Sequence, residues 1–252
     1  MAAVGPDGAV AYPGHLNKMY PANRRFEDKD LFLGNFPISE AASQFASQFP
    51  DEHLRTRDIF SRMITGKLVH TSTVMITRER WNLVKRFNED FKLSWEDYDF
   101  HLRTCREGQL GFVNVASIRY QIGRPDQLTH WAFGVHIARD FLNIIEPVME
   151  KDRRRIDLQK SRLDGTLAYA HCWLGEELLQ TGSFVEARSQ LAESLRKQWS
   201  IKPAALYART VLPAGCVPIL REIEGPAYRA ALSWFLSVPA ARFSKRDGGI
   251  DT

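Results

Sequence analysis

The hydrophobic period of the chain changes near residue 126, and that change bounds the fold more tightly than any other feature of the sequence. Downstream, Leu128, Trp131, Val135, Ala138, Leu142, Ile145 and Met149 recur at steps of three and four, a spacing that places them on one face of a helix. Upstream, from Leu68 to Ile122, β-branched stretches alternate with helical ones, the pattern of an α/β layer architecture. The sequence thus predicts an α/β domain over residues 1–128 and an all-helical extension over residues 129–252.

Within the first region, Leu68 to Ile76 is β-branched and alternating, which predicts a strand. Thr77 is placed to cap a short helix carrying Trp81 and Val84. A second helix is expected to open at Glu96 to Asp99, where carboxylates favour the positive end of the helix dipole, with Tyr98, Leu102 and Cys105 on one face and Gly108 beyond its end. Leu110 to Ile122 reads as a further strand.

In the second region Pro147 should kink or end the first helix. The charged stretch from Glu150 to Asp157 reads as a solvated face or linker. Leu167, Ala170, Leu174 and Leu178 define the next apolar face, Gly182 breaks that helix, and Ser183 with Glu186 forms a capping box for the one after. Ala187, Leu191 and Leu195 give that helix its buried side, and Pro203 suits the first turn of another. The spacing of Leu174, Gly175, Gly182 and Ala187 fits either a tetratricopeptide-like hairpin or generic helix packing.

Composition narrows the functional classes. In 252 residues, 34 Lys and Arg stand against 30 Asp and Glu, a net charge of +4, which is too small to imply nucleic-acid or membrane binding. Cys105, Cys172 and Cys216 have no paired spacing, so neither a disulfide framework nor a zinc knuckle is suggested. No apolar run approaches the ~18 to 20 residues of a membrane span. The expectation is a cytoplasmic protein.

Chemistry concentrates at Trp95-Glu96-Asp97-Tyr98-Asp99, with His101 and Arg103 following. Carboxylates at a loop-to-helix junction are held ionised by backbone amides, and one of them could take a proton from a substrate hydroxyl. Helix dipoles alone also draw acidic residues to such positions. Trp95, beside the carboxylates, is a candidate to stack on a sugar ring.

Three segments in order, His70-Thr71-Ser72-Thr73-Val74-Met75-Ile76-Thr77-Arg78, Phe87-Asn88-Glu89-Asp90-Phe91 and Trp95-Glu96-Asp97-Tyr98-Asp99-Phe100-His101-Leu102-Arg103, resemble the acceptor half of family 2 glycosyltransferases. Arg119 to Gly123 and Asp126 to Thr129 resemble the strand and exit segment that follow. Arg86 departs from the pattern, standing where the family usually has glycine before Phe.

The resemblance implies inverting sugar transfer from a nucleotide-sugar to a saccharide or lipid-linked acceptor on a GT-A-type fold. Asp97 would deprotonate the acceptor hydroxyl, Glu96 would position acceptor or base, and His70, Thr71, Trp95 and Arg103 would contribute to substrate binding. It further implies a divalent ion, Mg or Mn, held by an Asp-x-Asp motif at the end of a strand-rich nucleotide-binding half. Asp28-Lys29-Asp30 has the letters without a buried strand before it, and Asp97-Tyr98-Asp99 fits the acceptor side better. The match begins almost at Met1, so the expectation is a partial transferase domain, inactive alone. The alternative is a non-catalytic module in which the helical extension binds a partner protein.

Overall fold

A computed structural model describes residues 2–5, 8–12, 15–91, 95–121 and 133–211. Among these, 2–87 and 97–121 form one unit, and 88–91, 95–96 and 133–211 form a second. The architecture is mixed α/β.

The first unit runs β1 (Ala2–Val4), β2 (Val10–Tyr12), α1 (His15–Met19), α2 (Asp28–Leu31), β3 (Gly34–Pro37), α3 (Ile38–Ala41), β4 (His53–Arg57), α4 (Phe60–Met63), α5 (Arg78–Val84), α6 (Glu96–Arg106), β5 (Leu110–Val113) and β6 (Arg119–Gln121). Two small sheets result. In one, the order is β2-β1-β6, with β1 antiparallel to β2 and parallel to β6, Ala3 lying opposite Tyr120. The other is antiparallel, β3-β4-β5, with Leu54 opposite Val113.

Burial in this unit falls on Phe60, Met63 and Ile64 from α4 and its exit, and on Tyr98, Phe100, Leu102 and Cys105 of α6. Tyr98 has no exposed surface, and its hydroxyl donates to the Met63 carbonyl at 2.6 Å, so the one polar atom of a large buried ring is satisfied. Thr77 caps α5 by accepting from the Arg80 amide. Beside α5, Phe87 stacks on Phe100 with ring centroids 4.5 Å apart.

Two expectations about strands are corrected. Leu68 to Ile76 is not a strand: Thr71–Thr73 is a 3-10 turn, in which the Ser72 amide donates to His70 Nδ1 and the Thr73 hydroxyl donates to the His70 carbonyl. Local side-chain bonds of this kind compete with ladder pairing even where β-branching favours a strand. Within the expected strand Leu110 to Ile122, the described residues 110–121 divide into β5 and β6, which join different sheets, and Ile122 lies outside the described residues.

The helical unit comprises α7 (Gly134–Lys151), α8 (Lys160–Gln180), α9 (Phe184–Lys197) and α10 (Ile201–Arg209). α7 buries Ala138, Leu142, Ile145 and Met149, as the period predicts, and continues a turn past Pro147 instead of ending there. Leu128 and Trp131 lie outside the described residues. The central helix, α8, buries Ala168, Ala170, His171, Cys172, Leu174 and Gly175 on more than one face, because α7 and α9 both pack on it.

α8 closes in a Schellman motif: Gly182 takes φ +78°, its amide donates to the Leu179 carbonyl and that of Ser183 to Leu178. The expected capping box is absent. Ser183 makes no side-chain cap bond, and Glu186 pairs with Arg139 at 2.6 Å instead. Inside the unit, the buried Ser194 hydroxyl donates to the Ala168 carbonyl at 2.7 Å, fixing α9 against α8.

Candidate active site

Asp97 is in the first turn of α6, where unpaired amides and the dipole favour a carboxylate. Its Oδ2 accepts from two side chains far away in sequence. Lys67 Nζ donates to it as an ion pair, with side chains 15% and 20% exposed, and Thr71 Oγ1 donates at 2.6 Å. Its other oxygen, Oδ1, takes no hydrogen bond from the described residues. Burial acting alone would raise this carboxyl, but the Lys67 ammonium and the Lys67 and Thr71 hydrogen bonds outweigh it and hold the group below the usual carboxylate range. The side chain is therefore ionised at neutral pH.

Around this pair stands a wall of rings. Lys67 Nζ lies over the Tyr20 ring, 5.3 Å from its centroid. Tyr20 faces His70 at 6.2 Å, His70 meets the edge of Tyr120 at 5.5 Å, and Tyr120 stacks on His15 at 5.6 Å. Burial raises the Tyr20 hydroxyl and lowers the His70 imidazole, Lys67 adding to the latter. His101, one helical turn beyond Asp97, is 3% exposed with Nε2 3.2 Å from Thr71 Oγ1. Burial pushes it down to about 4.

The structure thus brings together Asp97, Thr71 and His70, and adds Lys67, Tyr20, Tyr120 and His101. It does not bring the other expected residues to the same point. Arg103 directs its guanidinium to Asp99 Oδ2 at 2.9 Å and to the Val84 and Arg86 carbonyls at 2.7 and 3.1 Å, so it fastens α6 to the turn after α5. Trp95 belongs with the helical unit. Its indole Nε1 donates to the Ile137 carbonyl at 2.8 Å and its ring packs on Phe141 and Trp173. Glu96 is half-buried and makes no hydrogen bond or ion pair among the described residues.

Sequence reasoning missed Lys67 and Tyr20, which no local pattern marks. His101 carried a signal, its i+4 spacing from Asp97, which puts both on one helix face.

The described carboxylates of the two Asp-x-Asp stretches have partners other than a divalent ion. Asp97 and Asp99 send their carboxylates to different cations, Lys67 and Arg103. Asp30 Oδ2 accepts from the Glu27 amide, and Lys29 pairs with Glu27. Among the described residues no three His, Cys, Asp or Glu side chains are grouped to hold a metal. Cys105 and Cys172 are buried thiols pushed up to about 12 by burial and are unsuited as nucleophiles. No described helix is long and apolar enough to cross a membrane.

No family model, curated protein or solved structure matches the chain.

Proposed function

We propose that the protein acts in glycosyl transfer, with Asp97 as the base that takes the proton of an acceptor hydroxyl. The observation that carries this reading is the asymmetry of the Asp97 carboxylate: Oδ2 is anchored by Lys67 and Thr71, and Oδ1 is left without a partner among the described residues. One oxygen fixes the group in place and the other can receive a substrate hydroxyl. The ordered motifs from His70 to Arg103, which resemble the acceptor half of family 2 glycosyltransferases, supply the reaction class.

In that reaction the acceptor oxygen attacks the anomeric carbon of a nucleotide-sugar, the carbon–oxygen bond to the diphosphate breaks, and the acceptor proton passes to Asp97 Oδ1 with inversion. A carboxylate of lowered pKa is a weak base toward a resting alcohol. It accepts the proton as bond formation acidifies the attacking oxygen. Tyr20, His70 and Tyr120 offer ring faces and polar edges suited to a saccharide acceptor. In this reading the surrounding fold is a partial GT-A-type domain, the helices after residue 129 are a tetratricopeptide-like extension, and the reaction takes place in the cytoplasm. No step is assigned to a metal ion, since no three His, Cys, Asp or Glu side chains are grouped to hold one among the described residues.

A second reading, a non-catalytic interaction module, draws on apolar residues exposed in the helical unit, among them Val185 at 84% and Trp199 at 71%.

Transfer from radiolabelled uridine- and guanosine-diphospho-sugars to saccharide and lipid-linked acceptors tests the first reading. Asp97→Asn keeps the shape and removes the proton acceptor, so kcat should fall by ~10²-fold or more with little change in donor affinity. Undiminished turnover by that variant removes Asp97 from the mechanism. Absence of transfer with every donor, together with saturable capture of a protein partner, favours the module.

A further inference from the structure

The hydroxyl of Thr71 has one proton and two neighbours competing for it. Asp97 Oδ2 lies 2.6 Å from Oγ1, and His101 Nε2 lies 3.2 Å from the same atom. An ionised carboxylate can only accept, so the shorter contact takes the hydroxyl proton. The longer contact must then run the other way, with an N–H on Nε2 donating into a lone pair of Oγ1. His101 is 3% exposed. A neutral imidazole has one ring proton, and this geometry puts it on Nε2.

We propose that His101 is a positioning residue for Asp97: its Nε2–H donates to Thr71 Oγ1, which commits the Thr71 proton to Asp97 Oδ2 and fixes the carboxylate with Oδ1 unpartnered among the described residues. The chain of donors is directional, from His101 through Thr71 to Asp97, with Lys67 donating to the same Oδ2 from a separate segment. His101 and Asp97 are one turn apart on α6, and Thr71 reaches them from the 3-10 turn that replaced the expected strand. The groups that face this chain are Lys67, an ammonium, and His70, whose own imidazole is held neutral by burial and by Lys67. Burial also keeps His101 in its neutral form at pH 7. The consequence for turnover rests on the proposed role of Asp97, but the polarity of the hydrogen bonds does not.

Long-range proton–nitrogen correlation on the uniformly ¹⁵N-labelled full chain at pH 7 reads the tautomer directly. The expected spectrum shows His101 with a protonated Nε2 and a bare Nδ1. A protonated Nδ1 with bare Nε2, or a doubly protonated ring, overturns the proposal whatever any transfer assay finds. Carboxyl ¹³C titration of Asp97 is the second arm. His101→Leu removes the donor and should raise the Asp97 midpoint by about one pH unit, whereas His101→Gln, which keeps an N–H near the Nε2 position, should hold it near the wild-type value. Equal midpoints in the two variants would reduce His101 to packing and overturn the positioning role. Where His101→Leu fails to fold, the wild-type tautomer alone decides. A wild-type protein with the expected tautomer and no transferase activity would sink the proposed function and leave this hydrogen-bond chain standing.

Discussion

Leu191 occupies the notch left by the missing side chain of Gly175: a β-carbon built on Gly175 would lie 2.7 Å from Leu191 Cγ and 3.3 Å from the Ala187 carbonyl oxygen. α8 and α9 pack tightly here, and Leu191 is fully buried. Gly175→Ala gains ~1 kcal/mol of helix propensity but forces the helices apart, an overpacking cost of ~1 to 3 kcal/mol. Urea unfolding should show a net loss, and the loss should vanish in a Leu191→Ala background, where the added methyl fills space. Simple additivity of the two substitutions would show that the residues do not share this contact.

Lys85 ends α5 with φ +66° and ψ −140°, a region that a side chain resists. The turn demands glycine-like backbone at Lys85, one residue before Arg86. Lys85→Gly should relieve ~1 to 3 kcal/mol of strain against ~0.5 to 1 kcal/mol of added chain entropy. The melting temperature should rise, and a fall would mean that the Lys85 side chain contributes a contact worth more than the strain.

His101 also gives stability a dependence on pH. Its folded-state pKa, about 4, lies below the ordinary value of 6.5, so between those limits the unfolded chain binds the extra proton and the folded chain does not. Stability therefore falls as pH drops through that window, by roughly 3 kcal/mol from this residue at ~1.4 kcal/mol per pKa unit. Chemical denaturation at pH 7 and pH 4 should show that loss reduced in His101→Gln relative to wild type. An identical loss in both proteins would assign it to other groups.

The Lys67–Asp97 pair acts in the same direction over a more acidic range. A carboxyl lowered by its partner contributes stability that is fully present above the unfolded value and is lost as pH falls through the lower folded one. Lys67→Met removes the ammonium, and the Asp97 midpoint, followed by carboxyl ¹³C shifts, should then move up because burial is no longer outweighed. Should the midpoint stay depressed, the hydrogen bond from Thr71 rather than Lys67 sets it.

Much of the helical unit is legible in the sequence. The three-and-four spacing of Ala138, Leu142, Ile145 and Met149 and the glycine at 182 each act within a turn or two of helix, so neighbouring residues suffice to read them. Leu68 to Ile76 has a strand-like sequence and forms no strand, because β-branching reports only what a segment tolerates. Whether it pairs depends on a partner strand, and here the His70, Ser72 and Thr73 side chain and backbone bonds close a turn first. Ser183 and Glu186 had capping-box spacing, yet Arg139 on another helix offered Glu186 a stronger, charge-assisted bond.

At the candidate site the sequence by itself marks a carboxylate at a helix start, with His101 following it. Only tertiary structure decided what that carboxylate does. Lys67 and Thr71 approach Asp97 across 30 and 26 residues of chain, a closure that local propensity does not encode, and their charge and hydroxyl set its ionisation. The same folding sent Arg103 to backbone carbonyls and Trp95 to the helical core, because a half-buried indole N–H or guanidinium finds an acceptor where packing leaves one.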